Sequence, residues 1–143
     1  MDNGEPILFD RTKNIQGYRD SGKVMVETRV AEINALVNEM ESETFLADVL
    51  GFPKNVSVDM STLAVMGHGL GGTSALLAAD RDHERIKACC PMDASFSSYQ
   101  DDLDFLVLED TPLFHLKADD YNLLNVNGYN QRKSSEKYFY YVK

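Results

Sequence analysis

The stretch Leu63-Ala64-Val65-Met66-Gly67-His68-Gly69-Leu70-Gly71-Gly72 decides the fold of this chain. Its apolar first half predicts a strand, its closely spaced glycines predict a sharp turn, and the run of small and apolar residues at 73–79 favours a helix. A strand, a sharp turn and a helix in this order are the context of the G-x-S-x-G turn known as a nucleophile elbow. Glycine occupies position 69, where that frame carries serine.

Helical and strand patterns alternate on both sides of this turn. Upstream, apolar residues recur at helical spacing and predict an amphipathic helix over residues 22–41. Further helices are predicted over residues 43–50 and 72–81, and strands over residues 63–66, 86–92, 112–117 and 138–142. This order predicts the α/β class, with a mostly parallel sheet flanked by helices. The nearly unbroken apolar runs at 63–66 and 86–92 predict strands buried on both faces.

The composition suits one globular domain, since the chain has 143 residues of which 43% are hydrophobic. Its formal net charge of −9 argues against nucleic acid and anionic membrane surfaces as partners, because both attract basic patches. No apolar run predicts a transmembrane segment, and the polar N-terminus has no signal-peptide pattern. Cys89 and Cys90 are neighbours and are predicted to be free thiols. We therefore expect an intracellular, reducing compartment, the cytoplasm before others.

A serine hydrolase needs a nucleophile, a histidine base, a carboxylate that orients the base, and N–H groups that bind the oxyanion. Gly69 occupies the nucleophile position without a side chain, whereas the Leu70 N–H remains available as half of an oxyanion hole. Gly67 and Gly71 are predicted to allow the close backbone approaches of the turn. Asp93 ends the strand 86–92, at the sheet edge where ligands bind. It is equally well explained as a turn or N-cap aspartate, because Ala-Ser follows it.

None of the three histidines is placed as a catalytic base. His68 adjoins the nucleophile position, and its side chain is expected to point away from the location of a triad base. His83 lies in a charged turn, and His115 lies within an apolar strand. No histidine follows the strand 138–142, although hydrolases with this elbow place the base late in the chain. The cysteine and histidine spacing predicts no metal site, and the glycines lack the Lys-Ser/Thr of a phosphate loop. No cofactor is therefore predicted.

Residues 59–72, with Gly67-His68-Gly69-Leu70-Gly71-Gly72 in place of G-H-S-F-G-G, resemble the elbow region of the platelet-activating factor acetylhydrolases. Residues 86–94 resemble that family's strand ending in a catalytic aspartate and alanine, since Asp93 follows Gly69 by 24 residues. Residues 111–116 resemble the family's next strand. The resemblance implies an α/β-hydrolase fold. It also implies an enzyme that hydrolyses short or oxidised acyl groups from phospholipids without a metal. It assigns Gly69 to the nucleophile position, Asp93 to the triad acid and Leu70 to the oxyanion-hole N–H.

The chain departs from this family's pattern at three points. Gly69 replaces the serine, the catalytic histidine has no match, and the N-terminal strands have no match. We therefore divide the chain into a polar N-terminal arm, residues 1–20, and an incomplete α/β-hydrolase-like domain, residues 21–143.

Three functional hypotheses follow from these departures. The preferred one is a non-catalytic hydrolase-like module that assembles with other protein chains, which pair with or cover the open sheet edge left by the missing strands. The second is a fragment or Ser→Gly variant of an enzyme that hydrolyses carboxylic or phospholipid esters. The third is a small-ligand binding module that keeps the pocket and has lost the chemistry.

Overall fold

A computed structural model describes residues 15–99, 111–118 and 137–142 of the chain. Most of the predicted arm (residues 1–14) lies outside the described residues, as do residues 100–110, 119–136 and 143. In chain order the elements are α1 (Ile15–Glu39), α2 (Glu43–Asp48), β1 (Leu63–His68), α3 (Leu70–Arg81), β2 (Ile86–Met92), a 3-10 turn (Ser97–Tyr99), β3 (Leu113–Ala118) and β4 (Lys137–Val142).

The predicted elements are all present, with the largest difference in bounds at the first helix. Helix α1 begins at Ile15 rather than at residue 22, so residues 15–20 of the predicted arm are helical. Helix α2 starts after Ser42, whose hydroxyl accepts a hydrogen bond from the Phe45 N–H and caps the helix. Helix α3 begins directly after Gly69, which makes the turn as short as the glycine pattern implies.

The strands form one parallel sheet in the order β1-β2-β3-β4. Met66 on β1 lies level with Cys90 on β2, and Cys89 lies level with Leu113 on β3. Strand β1 stands at one end of this order, so among the described residues its outer edge has no partner strand. The open edge expected from the sequence would be this outer edge of β1.

Helices α1 and α3 cover one face of the sheet. The α1 residues Val26 and Val30 are each 1% exposed and share a core with the apolar residues of α3 and with Cys89 and Leu113. At the surface of the same layer, the Arg81 guanidinium donates two hydrogen bonds to the Glu27 carboxylate, at 2.7 and 2.9 Å. Arg85 likewise joins the start of β2 to Asn38 and Glu41 beside the end of α1.

The opposite face of the sheet carries no helix within the described residues, and we call it the bare face. It presents one set of alternating side chains from β1, β2 and β3, namely Ala64, Met66, His68, Ala88, Cys90, Met92, Phe114 and Leu116. Met66 is 65% exposed and Phe114 is 40% exposed. The prediction that residues 63–66 are buried on both faces is therefore wrong, because described helices pack against one face alone.

Candidate functional site

Gly69 occupies the turn between β1 and α3 with φ 59° and ψ −122°. This backbone conformation is open to glycine and costs other residues on the order of 1–3 kcal/mol, so it is the strained turn that a nucleophile elbow requires. Hydrogen bonds hold the turn to the end of β2: the Gly69 N–H donates to the Met92 carbonyl at 3.0 Å, and the Gly69 carbonyl accepts from the Ser95 N–H at 3.0 Å.

The neighbouring glycines differ in what they make possible. A Cβ atom added at Gly67 would lie 2.2 Å from the carbonyl oxygen of Gly71, so this position tolerates glycine alone. A Cβ at Gly72 would lie 3.1 Å from the Cα and Cβ atoms of Ala94, which brings α3 close to the loop after β2. A Cβ at Gly71 would meet nothing within 4 Å. The close backbone approaches therefore require glycine at positions 67 and 72. Gly71 contributes the carbonyl oxygen that lies near Gly67, but a side chain would fit at its own position.

A Cβ at Gly69 would also meet nothing within 4 Å. The position is thus spatially open to a side chain. Leu70 is the first residue of α3, so its N–H has no acceptor within the helix.

Asp93 follows β2 at the carboxyl edge of the sheet, with a positive φ of 43°. Its N–H donates to the Leu116 carbonyl at 2.9 Å, which ties the residue to β3. A positive φ is uncommon for residues other than glycine, although aspartate adopts it more often than most. The His68 Nε2 lies 3.6 Å from the Asp93 Oδ2, and the His68 side chain is 70% exposed while that of Asp93 is 19% exposed.

The structure thus brings together three positions that the sequence analysis singled out, Gly69, Leu70 and Asp93. Sequence reasoning missed that His68 lies beside Asp93. His68 is the last residue of β1, and Asp93 directly follows Met92, the last residue of β2. Because His68 pairs with Met92 in the sheet, the two strands end at the same level. The sequence analysis ended the first strand at residue 66, whereas β1 continues to residue 68. It therefore did not place His68 level with Asp93.

Behind Asp93, two further ionisable groups lie on β3. His115 is fully buried and Lys117 is 5% exposed. Burial lowers the pKa of His115 to about 4, with the charge of Lys117 acting in the same direction and that of Asp93 opposing it. Burial also lowers the pKa of Lys117, while the nearby Asp93 carboxylate raises it. His115 is therefore a neutral, enclosed imidazole at neutral pH, as its position in an apolar strand suggested.

The other candidate nucleophiles do not belong to this edge. Burial, followed by the charge of Cys90, raises the pKa of the Cys89 thiol to about 12, so Cys89 is a core residue. The Ser74 hydroxyl donates to the Leu70 carbonyl inside α3 at 2.9 Å. Within the part of the chain that the structure describes, no group of three His, Cys, Asp or Glu side chains is arranged to hold a metal ion.

Taken together, the parallel sheet, its helix layer and the sharp glycine turn after β1 define an α/β fold. The chain matches a solved structure of a ferulic acid esterase from Streptomyces cinnamoneus with a TM-score of 0.59 and 17% sequence identity. The match covers 93% of this chain and 34% of the esterase, so the chain spans about a third of that protein's length. At this identity the likeness concerns the fold.

No family model matches the sequence. No curated protein matches it either. Among the described residues no helix is long and apolar enough to cross a membrane.

Proposed function

We propose that this chain is a non-catalytic α/β-hydrolase-like module, related to the platelet-activating factor acetylhydrolases, with a structural role in a protein complex. The observation that carries the proposal is the conformation of Gly69. The turn keeps the backbone of an elbow and the space for a side chain, yet the residue supplies no nucleophile. In this proposal Asp93 keeps the position of the triad acid and Leu70 that of an oxyanion-hole donor.

The arrangement of His68 supports a site without a competent base. Its Nε2 lies 3.6 Å from the Asp93 Oδ2, which is longer than a hydrogen bond, so Asp93 does not orient this ring as the acid of a triad would. Of the other two histidines, His115 is fully enclosed and His83 follows α3 at the helix end opposite to Gly69. Neither His83 nor His115 is therefore positioned to activate a hydroxyl group at residue 69. Whether His68 can do so is tested with the Gly69→Ser variant below.

The open edge of β1 supports the assembly role. An edge strand offers unpaired N–H and C=O groups, and proteins commonly protect such edges with charges or proline. Strand β1 reads Leu-Ala-Val-Met-Gly-His and holds neither lysine nor proline. Another polypeptide that pairs with β1 would complete the backbone hydrogen bonds of the sheet.

A second candidate is a fragment, or a Ser→Gly variant, of an enzyme that hydrolyses carboxylic or phospholipid esters. The likeness to an esterase fold favours it, since the matched structure is about three times as long as this chain. The two candidates differ in one observable. A complex that supplied a histidine close to Gly69 from a further segment would support the second.

The direct test measures hydrolysis of short acyl p-nitrophenyl esters by the purified chain and by Gly69→Ser. We expect no enzyme-like turnover from either, because Gly69→Ser restores the oxygen without a base. The control is the double change Gly69→Ser with His68→Gln. Turnover in Gly69→Ser that disappears in the double variant would identify His68 as the base and reject the non-catalytic assignment.

A further inference from the structure

The segment that follows β2, residues 93–99, lies between the Gly69 turn and α1, and we call it the strap. It carries Asp93 at its start and the 3-10 turn Ser97–Tyr99 at its end. Three of its side chains are buried, namely Ala94, Phe96 and Tyr99, at 7%, 5% and 2% exposure. The strap is therefore packed into the domain rather than lying in solvent.

One end of the strap is bonded to the Gly69 turn. The Ser95 N–H donates to the Gly69 carbonyl at 3.0 Å, and the Thr73 hydroxyl donates to the Ser95 carbonyl at 2.6 Å. A Cβ atom at Gly72 would lie 3.1 Å from the Cα atom of Ala94, so the strap and the first turn of α3 are in close contact. A displacement of the strap would therefore break hydrogen bonds that hold the turn.

The other end of the strap packs against α1 at a glycine. Gly22 is buried and lies on the same stripe of the helix as Val26 and Val30, one turn before Val26. A Cβ atom at Gly22 would overlap the hydroxyl oxygen of Ser98 and lie 3.2 Å from the Ser98 Cβ. Alanine is the better helix former, so glycine at this position costs helix stability and permits the close approach of the strap.

Further along α1, Glu27 joins the strap to α3. The Tyr99 hydroxyl donates to the Glu27 Oε1 at 3.1 Å, and Arg81 donates to both oxygens of the same carboxylate. The Lys23 ammonium lies 5.4 Å from the centre of the Tyr99 ring. The Arg81 hydrogen bond lowers the pKa of Glu27, burial opposes this effect, and the Tyr99 hydrogen bond adds to it. The carboxylate is therefore charged at neutral pH, the form that accepts both bonds.

We propose that α1 controls the conformation of the Gly69 turn through the strap. When α1 is docked, the strap holds the turn, and when α1 is displaced, the strap and the turn loosen together. Gly22 and Glu27 are the positioning residues of this device, because they act on the turn through Ser98 and Tyr99 rather than by direct contact. The inference goes beyond the proposed function, since it holds whether or not the turn carries a nucleophile.

Amide hydrogen exchange of the intact chain in low, non-denaturing urea tests the coupling, because its urea dependence distinguishes segmental opening from global unfolding. Three N–H groups serve as probes: that of Ser95, bonded to the Gly69 carbonyl, that of Tyr99, bonded to the Phe96 carbonyl at 2.9 Å, and that of Cys89, bonded to the Pro112 carbonyl at 3.0 Å. We expect Ser95 and Tyr99 to share one urea dependence that is shallower than that of Cys89, because the strap opens as a unit before the sheet does.

Matched variants of α1 show whether this opening involves the helix. Glu27→Gln weakens the charge-assisted hydrogen bond from Tyr99, whereas Glu39→Gln removes the same charge from an exposed position at the end of α1. We expect Glu27→Gln to speed exchange at Ser95 by about tenfold, and Glu39→Gln to change it by less than about twofold. Circular dichroism of both variants checks that they are folded.

A size exchange at the Gly22 contact gives a second pair of variants. Gly22→Ala favours the helix but places a Cβ against the Ser98 hydroxyl, so we expect it to speed exchange at Ser95 by about tenfold. Ser98→Ala removes that hydroxyl, whose oxygen is buried and has no hydrogen-bond partner among the described residues. The double variant should therefore return exchange at Ser95 to within about threefold of wild type.

Either of two results would overturn the proposal. An equal urea dependence at Ser95 and Cys89 would mean that the strap opens only when the whole domain unfolds. Exchange at Ser95 that neither Glu27→Gln nor Gly22→Ala changes would mean that the turn opens independently of α1. Both readouts are independent of ester hydrolysis, so failure here leaves the non-catalytic assignment standing.

Discussion

At position 69 the backbone conformation, rather than lack of space, sets the cost of a side chain. Gly69 has φ 59°, and a Cβ there meets nothing within 4 Å. We expect Gly69→Ala to lower the free energy of unfolding by about 1–3 kcal/mol, the cost of placing a non-glycine residue in this region. Urea unfolding at neutral pH measures it.

Gly71→Ala is the matched control, because a Cβ at Gly71 has equal space and the residue lies within α3. Alanine is favoured over glycine in helices by about 0.5–1 kcal/mol, so this variant should be neutral or more stable. Equal destabilisation by the two substitutions would contradict the strained turn.

The buried His115 makes stability depend on pH. Its pKa in the folded chain is about 4, below the ordinary value near 6.5, because burial disfavours the charged imidazole. The unfolded chain therefore binds the proton first as pH falls. The neutral imidazole contributes about 3 kcal/mol to the free energy of unfolding above about pH 6.5. This contribution is lost progressively as the pH falls to about 4.

Urea midpoints between pH 4 and pH 7 test this expectation against His115→Gln, which cannot titrate. The difference between wild type and variant should change across this window and stay flat above it. The Lys117 and Asp93 charges face the same region but are present in both proteins, so they cancel in the comparison. Parallel pH curves would show that His115 does not titrate as expected.

The residues of the turn could be predicted from sequence only in part. The glycine frame predicts a conformation at position 69 that is strained for residues other than glycine, and the structure has it. The approach of His68 to Asp93 depends on where β1 ends and on the positive φ of Asp93. Neither quantity is encoded in the spacing of the two residues along the chain.

At the scale of elements, α1 is held to the domain by its buried valines more than by its surface ion pairs. Val30 is 1% exposed, whereas Val24 on the same helix is 55% exposed. We expect Val30→Ala to destabilise the chain by about 2 kcal/mol, from lost apolar burial and the cavity left behind. Val24→Ala should remain within about 0.5 kcal/mol of wild type. Thermal and urea unfolding measure both, and similar losses would mean that α1 packs differently.

Element types were more predictable than their surroundings. Helical spacing located α1, although its first turns continue into residues whose polar composition predicted an arm. The apolar runs located β2 with its observed bounds and β1 two residues short of its end. They did not show that one face is bare, because an apolar run is the same whether the covering helix belongs to this chain or to a partner.

For the whole molecule, the open edge of β1 and the bare face predict association of the isolated chain. Exposed apolar edges and patches are where proteins associate, and β1 contributes to both.

Met66 on β1 and Val49 after α2 are almost equally exposed, at 65% and 66%, which makes them a matched pair. We expect Met66→Lys to shift the chain toward monomer by about tenfold in midpoint concentration, because a lysine on this strand must be desolvated when the surface is covered. Val49→Lys adds the same charge elsewhere and should leave the midpoint within about twofold. Sedimentation equilibrium over a range of protein concentrations measures the midpoint for wild type and both variants. A wild-type chain that stays a stable monomer throughout would contradict the argument from the open edge. Equal shifts in both variants would show that net charge, rather than β1, governs association.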